Sequence, residues 1–114
     1  MNEMQIEITP ITGGTLIRLT GEGSMTCVDR LQTKFLGITA SHPSVVVFDL
    51  AGLSFVASLF MGALVGFRRG IVRNGGQVRL AAMQPNVESA FRAARLEELF
   101  AIVPTVDAAV EANP

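Results

Sequence analysis

Three valines and a phenylalanine follow one another at residues 45–48, and this apolar run restricts the fold more than any other segment of the chain. Pro43 lies just before the run and Asp49 ends it. A continuous stretch of this kind suits a central strand that is covered on at least one face of its sheet. We therefore predict a sheet built around residues 45–48.

The first part of the chain predicts a β-hairpin. Residues 4–9 alternate between apolar and polar side chains, which is typical of a half-buried strand, and residues 15–20 form a second strand-like segment. Gly13 and Gly14 lie between the two segments and suit a tight turn that needs a positive φ. Residues 21–24 then form a loop.

Helices and strands alternate after the hairpin. A first helix is predicted at residues 27–40, capped by Ser24 or Thr26. Its apolar face is formed by Val28, Leu31, Phe35 and Ile38. The remaining elements are a helix at residues 58–73, a strand at 77–82, a helix at 87–94, a short strand or extended stretch at 100–103 and a helix at 106–111.

This order of elements predicts the fold class. Strands that are joined through helices must pair in parallel by right-handed crossovers, whereas the opening hairpin is antiparallel. We therefore expect residues 1–114 to form a single α/β domain. It would contain a mixed β-sheet of four to five strands, an N-terminal β-hairpin and about four α-helices.

Composition excludes several classes of function. A net charge of −1 provides no basic surface for nucleic acid, so no nucleic-acid partner is expected. One cysteine, Cys27, and one histidine, His42, are too few for a disulfide framework or a multi-cysteine metal site. They also leave no convergent nucleophile, base and oxyanion site, and the glycines lack the phosphate-binding patterns. We therefore expect neither an enzyme nor a cofactor.

The sequence also predicts a cytoplasmic location without direct membrane insertion. The longest apolar stretch, residues 55–67, is interrupted by Ser58 and followed by Arg68, so it is too short to span a bilayer. Glu3 and Glu7 interrupt the start of the chain, which therefore lacks a signal-peptide pattern. Because only 17% of the residues are charged, some apolar groups are expected to be exposed and to mark a partner surface.

The segment VVVFDLAGLSFVASLFMGALV, residues 45–65, resembles the central motif of STAS domains. In that family a hydrophobic strand leads to an Asp-Leu-Ser/Thr-Gly-Val-x-Phe-like segment, and an Asp-Ser-Ser/Thr-Gly step then opens a helix. Further matches occur in the family's order along almost the whole chain. They are Gly21-Glu22 after the hairpin, Asn74-Gly75-Gly76 after the second helix, Pro85-Asn86-Val87, the segment at residues 99–103 and the late segment at residues 107–110.

The resemblance is to the bacterial anti-sigma factor antagonists within that family, and it implies a function. In those proteins a partner kinase, which is also the anti-sigma factor, phosphorylates the serine of the central step, and phosphorylation blocks binding. That serine corresponds to Ser58. The resemblance thus implies an anti-sigma factor/serine kinase as partner, a role in transcription regulation by partner switching, and phosphorylation at Ser58.

The residues around Ser58 depart from the family pattern. Ala57 replaces the expected Asp, Leu59 replaces the second Ser or Thr, Phe60 replaces the Gly, and Ser24 replaces the Asp of the loop after the hairpin. These replacements predict a bulkier and less polar site. They leave open a second function, a phosphorylation-independent scaffold subunit of a lipid-transport ABC complex, with Ser58 as a helix cap only.

Two apolar stripes on the second helix leave a further question open. Met61 belongs to one stripe, whereas Phe60 and Phe67 belong to the other. Either the sheet and neighbouring helices bury most of both stripes, or Phe60 and Phe67 form a partly exposed patch that binds the partner. The predicted partner-binding residues are Ser24, Ala57, Leu59, Phe60, Met61 and Phe67. A homodimer is a further candidate assembly.

Overall fold

A computed structural model describes residues 4–111 and shows six strands and four α-helices. The strands are β1 (Gln5–Ile11), β2 (Gly14–Gly23), β3 (Val45–Asp49), β4 (Leu53–Val56), β5 (Gln77–Ala81) and β6 (Ala101–Val103). The helices are α1 (Val28–Ala40), α2 (Ser58–Arg73), α3 (Pro85–Ala93) and α4 (Val106–Glu111), with short 3₁₀ turns at Met25–Cys27 and Leu96–Glu98. The predicted elements are therefore all present, with ends that shift by one or two residues, except that β2 continues three residues further than predicted. The prediction of a loop at residues 21–24 is therefore wrong for residues 21–23, which extend β2.

The sheet is mixed, as predicted. Its strand order is β1-β2-β3-β5-β6, with an antiparallel hairpin between β1 and β2 and parallel pairs elsewhere. Strand β3 lies in the middle, and Val46, Val47 and Phe48 are fully buried. The apolar run that dominates the sequence therefore forms the centre of the sheet, because its side chains are covered on both faces.

Strand β4 was not among the predicted elements. It pairs in parallel with the last residues of β2, and the register shifts between Gly21 and Glu22. Gly21 adopts a φ of 111°, a conformation that glycine tolerates because it has no Cβ. This bulge lets a single strand pair with β3 through its first half and with β4 through its last three residues.

Helices cover the two faces of the sheet unequally. The larger core includes buried side chains of α1, α2 and α3. The predicted face of α1 is buried at Val28, Leu31, Phe35 and Ile38, and the last three of these belong to this core. On the opposite face, Ala109 of α4 packs with Val47 and Ala81 in a much smaller cluster. Within residues 4–111, no helix has both the length and the apolar composition needed to cross a membrane.

Candidate partner-binding site

Ser58 is the first residue of α2 and is exposed. The N-cap residue is Ala57, with extended backbone angles of φ −91° and ψ 159°, and no side chain caps the helix. The prediction of Ser58 at or near the cap is therefore right to within one residue. The first backbone N–H groups of α2 are left without a side-chain acceptor, and its first turn contains no acidic residue.

Strand β4 fixes the position of this helix start. The backbone N–H of Ala57 donates to the carbonyl of Gly23 over 2.7 Å, which ties the start of α2 to the end of β2. The hydroxyl of Ser54 donates to the Gly21 carbonyl over 3.1 Å, and the side-chain amide of Asn86 donates to the Ser54 carbonyl over 2.8 Å. Ser58 is thus presented by a segment that both β2 and α3 hold in place.

Phe60 points away from the surface, so of the two alternatives that the sequence left open, burial is right for this residue and partial exposure is wrong. Its side chain is fully buried. A Cβ on Gly23 would lie 2.9 Å from the Phe60 ring, so the glycine provides the space in which the ring packs. The residue that replaces the family's glycine therefore fills the core beneath the site. It does not make the surface beside Ser58 bulkier.

Phe67 and Met61 are buried as well, so the exposed-patch interpretation of the second helix is wrong for Phe67 too. The Phe67 ring stacks on Phe35 with centroids 4.1 Å apart and meets Phe48 edge-on at 5.7 Å. Because α1 and the sheet both contact this part of α2, they cover most of both apolar stripes. A role of Phe67 and Met61 in partner binding stays a prediction. Both side chains would have to contribute to binding from buried positions.

The exposed part of the site consists of residues other than the buried Phe60, Met61 and Phe67. Leu59 is 54% exposed directly beside Ser58, and Met25, in the 3₁₀ turn after β2, is 67% exposed. Ser24 is partly buried, and its hydroxyl lies 2.9 Å from that of Thr26 without capping the turn. Of the predicted partner-binding residues, Ser24, Ala57 and Leu59 thus lie together with Ser58 around the N-terminus of α2.

A groove continues from Ser58 between α1 and α2 and encloses about 640 Å³. It was not predicted from the sequence. Leu36, 74% exposed on α1, is one of its lining residues, and Gly62 and Gly66 lie along α2. The i, i+4 spacing of these two glycines is the sequence signal that could have indicated it, since both must fall on one side of a helix.

Chemically reactive groups are scarce around the site. Burial raises the pKa of the Cys27 thiol, which donates to the Ser24 carbonyl over 3.0 Å, so Cys27 acts as a packing residue. Among residues 4–111, no three or more His, Cys, Asp or Glu side chains are grouped so that they could hold a metal ion. What the arrangement offers is an exposed hydroxyl, a helix N-terminus and an apolar surface.

Comparisons with solved structures identify the fold. An anti-sigma factor antagonist from Mycobacterium paratuberculosis superposes with a TM-score of 0.86 at 20% identity, covering 94% of this chain and 91% of that one. The Bacillus anti-sigma factor antagonist SpoIIAA, in its unphosphorylated form, gives 0.83 at 21% identity, covering 94% of each chain. A sulfate transporter family protein from Wolinella succinogenes gives 0.76 at 16% identity, covering 91% and 86%.

The family is established by the sequence itself. The model of the STAS domain family matches residues 4–109, which is nearly the whole chain. The match includes both strands of the hairpin, the central strand, and the start of α2 with Ser58. This chain therefore belongs to the STAS domain family.

Proposed function

We propose that this STAS domain is a non-catalytic switch that binds an anti-sigma factor with serine kinase activity, and that phosphorylation of Ser58 releases this partner. The observation that carries the proposal is the exposed Ser58 hydroxyl at the uncapped N-terminus of α2, beside the exposed side chain of Leu59. The hydroxyl is accessible to a kinase, and Leu59 supplies apolar contact area to a partner.

Local electrostatics support a switch at this position. A phosphate on Ser58 would add about −1.5 to −2 charges at pH 7. The free N–H groups and the positive end of the α2 dipole would stabilise that charge, and no acidic side chain in the first turn would repel it. A partner surface that packs an apolar or acidic group against Leu59 would lose this contact when the charge appears. The fold need not change.

The departures from the family pattern act mainly on the polarity of the site. Phe60 lies in the core, so it does not hinder access to the Ser58 hydroxyl. Ala57 and Leu59 do make the neighbourhood less polar than an Asp and a Ser or Thr would. We infer that partner recognition depends more on apolar contact here than on acidic residues around the serine.

The experiment is a pull-down from native cells with wild-type, Ser58→Asp and Ser89→Asp baits, followed by mass spectrometry. Ser89 is an exposed serine on α3 and serves as the control for added charge. We expect wild type and Ser89→Asp to retain an anti-sigma factor with a kinase domain, and Ser58→Asp to lose it. The recovered kinase and ATP should then phosphorylate Ser58 in the purified domain, located by peptide mapping.

A scaffold subunit of a lipid-transport ABC complex is the second candidate function. The apolar groove between α1 and α2 favours it, since a constitutive protein contact could use this groove without modification of Ser58. On this alternative, all three baits should retain the same transporter ATPase and no phosphate should appear on Ser58 under any growth condition. That result would contradict the switch.

A further inference from the structure

Strand β1 forms one edge of the sheet, and its outer side is unpaired. In the part of the chain that the structure describes, β2 is the only strand that pairs with β1. The unpaired N–H and C=O groups along such an edge are a template for a further strand. The chemistry of this edge therefore specifies an extended segment as its occupant, bound through backbone hydrogen bonds.

The register of the hairpin shows which groups of β1 point outward. A two-residue loop joins Ile11 to Gly14, which close the hairpin as a hydrogen-bonded pair. Along an antiparallel ladder, hydrogen-bonded pairs alternate with pairs that are not hydrogen-bonded. The backbone groups of Ile6, Ile8 and Pro10 therefore point away from β2. Proline suits this position because it has no N–H that β2 would require.

Both ends of the outer edge are closed, and a short window between them is open. At the start of β1, the Arg30 guanidinium donates to the Met4 carbonyl. At the other end, Pro10 offers no donor. Between these ends, Ile6 and Ile8 form no backbone hydrogen bond outside the hairpin within residues 4–111. Their outward N–H and C=O groups can therefore form four hydrogen bonds with an antiparallel strand.

Charged side chains of both signs flank this window. A cleft of about 430 Å³ beside residues 4–7 is also lined by Arg30 and Lys34 of α1. Lys34 is exposed and forms no ion pair with another described residue. Side chains alternate along a strand, so Glu7 lies on the opposite face, where its carboxylate is 3.5 Å from the Arg18 guanidinium. The window thus offers a cation on the α1 face and a carboxylate on the other face.

A second copy of this chain is a poor occupant of the edge. The register that satisfies all four groups sets Ile6 against the copy's Ile8 and therefore sets the two Glu7 side chains directly opposite each other. Like charges in this position destabilise a strand pair. The register that sets Ile8 against Ile8 brings Ile6 opposite Pro10, so the Ile6 carbonyl finds no donor. Both registers favour a strand of different sequence.

We propose that the β1 edge binds an extended segment of a different protein, which joins the six-stranded sheet antiparallel to β1. The residue opposite Ile8 is apolar, because Ile8 is 42% exposed and the added strand covers it. The residue opposite Glu7 is basic. The next residue, opposite Ile6, is acidic and reaches Lys34 in the cleft. The backbone supplies affinity, and these three side chains supply specificity.

A short blocked peptide tests the backbone pairing. Acetyl-Thr-Val-Lys-Glu-Thr-amide is titrated into the ¹⁵N-labelled chain, and the amide resonances are followed by NMR. We expect saturable shifts centred on the amides of Ile6 and Ile8, half-complete at roughly 1 mM peptide. Ile8→Pro removes an outward donor without breaking a bond to β2, so binding should weaken at least about fivefold. Ile8→Val keeps this donor and should bind like wild type. Thermal melts must show that both variants are folded.

Charge exchange tests the chemistry of the partner segment. Lys34→Glu should weaken binding of the first peptide about fivefold and should favour acetyl-Thr-Val-Lys-Lys-Thr-amide, in which lysine replaces the glutamate. Arg73→Glu, a reversal on α2 outside the cleft, is the control and should leave both affinities unchanged. Equal affinities of the two peptides for wild type and for Lys34→Glu would contradict the assigned charge pattern.

Three results would overturn the proposal as a whole. The first is the absence of shifts at Ile6 and Ile8 up to about 10 mM peptide. The second is binding that Ile8→Pro leaves unchanged, or shifts centred outside β1. The third is a shift of the same two amides that depends on protein concentration without peptide, since it would assign the edge to a second copy of this chain.

Discussion

Phe60 and Leu59 are adjacent in the chain, and the structure gives them opposite roles. Phe60 is fully buried and Leu59 is 54% exposed. Periodicity places Phe60 on an apolar stripe of α2 but does not tell whether that stripe is buried or partly exposed, so the sequence alone could not assign this residue. The assignment depends on Gly23, because only a residue without a Cβ leaves room for the Phe60 ring. In the sequence this glycine looks like an ordinary loop residue.

Substitution of the two residues should separate stability from binding. Phe60→Ala should lower the free energy of unfolding by about 3–5 kcal/mol, because it leaves a cavity in the core. Leu59→Ala should change it by less than about 0.5 kcal/mol and should weaken partner binding. Denaturant unfolding of both variants measures the change in the free energy of unfolding. Equal stability of the two variants would contradict the assignment of Phe60 to the core.

Cys27 should make stability depend on pH in the alkaline range. Burial raises the pKa of its thiol in the folded state, so the unfolded chain ionises first as the pH rises. The stabilising contribution is complete below the pKa of the unfolded thiol, about 8.5, and is lost as the pH rises through the folded pKa. Wild type should therefore lose stability relative to Cys27→Ala as the pH rises from neutral to values above the folded pKa of the thiol. The free energy of unfolding in urea, measured across these pH values, gives this loss. Parallel pH curves for the two proteins would rule this out.

At the scale of elements, the start of α2 depends on the short strand β4. The sequence indicated every long element because periodicity, glycine turns and proline boundaries are local features. It did not indicate β4, since the four residues Leu53–Val56 do not alternate, with Ser54 and Phe55 both exposed between two buried residues. The pairing of β4 with β2 also depends on the bulge at Gly21 of β2. Only the contact between these two strands in the folded structure requires the bulge, so no local sequence pattern indicates it. The position of Ser58 was predictable, whereas the strand that presents it was not.

The contact between α3 and β4 can be tested by removing the Asn86 side chain. Asn86→Ala eliminates the hydrogen bond to the Ser54 carbonyl and should cost about 1 kcal/mol. Because the bond lies at the surface, the effect should be local: amide hydrogen exchange should accelerate at residues 53–57 and stay unchanged in β3 and β5. Ser89→Ala on the same helix is the matched control. Uniform acceleration across the sheet would contradict a local role for Asn86.

At the scale of the whole molecule, the two faces of the sheet have different functions in the fold. The α1–α3 face contains most of the core and the candidate site, and the sequence predicted it well because its helices are long and amphipathic. The opposite face is covered by α4, of which six residues are described. The burial of Arg79 on that face could not be predicted, since a charged residue in a strand normally faces water.

Arg79 should therefore act as the anchor of α4. Its guanidinium donates to the Ala109 carbonyl over 2.7 Å and to the Gln77 side chain over 3.1 Å. Arg79→Met keeps much of the volume but leaves that carbonyl without its donor, which should destabilise the docking of α4 by about 1–3 kcal/mol. Global stability should fall less, because removing a buried charge offsets part of the loss.

Hydrogen exchange distinguishes this role from a general effect of losing an arginine. In Arg79→Met, amides of residues 106–111 should exchange faster while those of α1 and α2 keep their rates. Arg92→Met removes an exposed arginine from α3 together with its pair to Glu88, which should change stability by less than about 1 kcal/mol. If both variants leave α4 equally protected, the small cluster of Val47, Ala81 and Ala109 suffices to hold α4 on the sheet without Arg79.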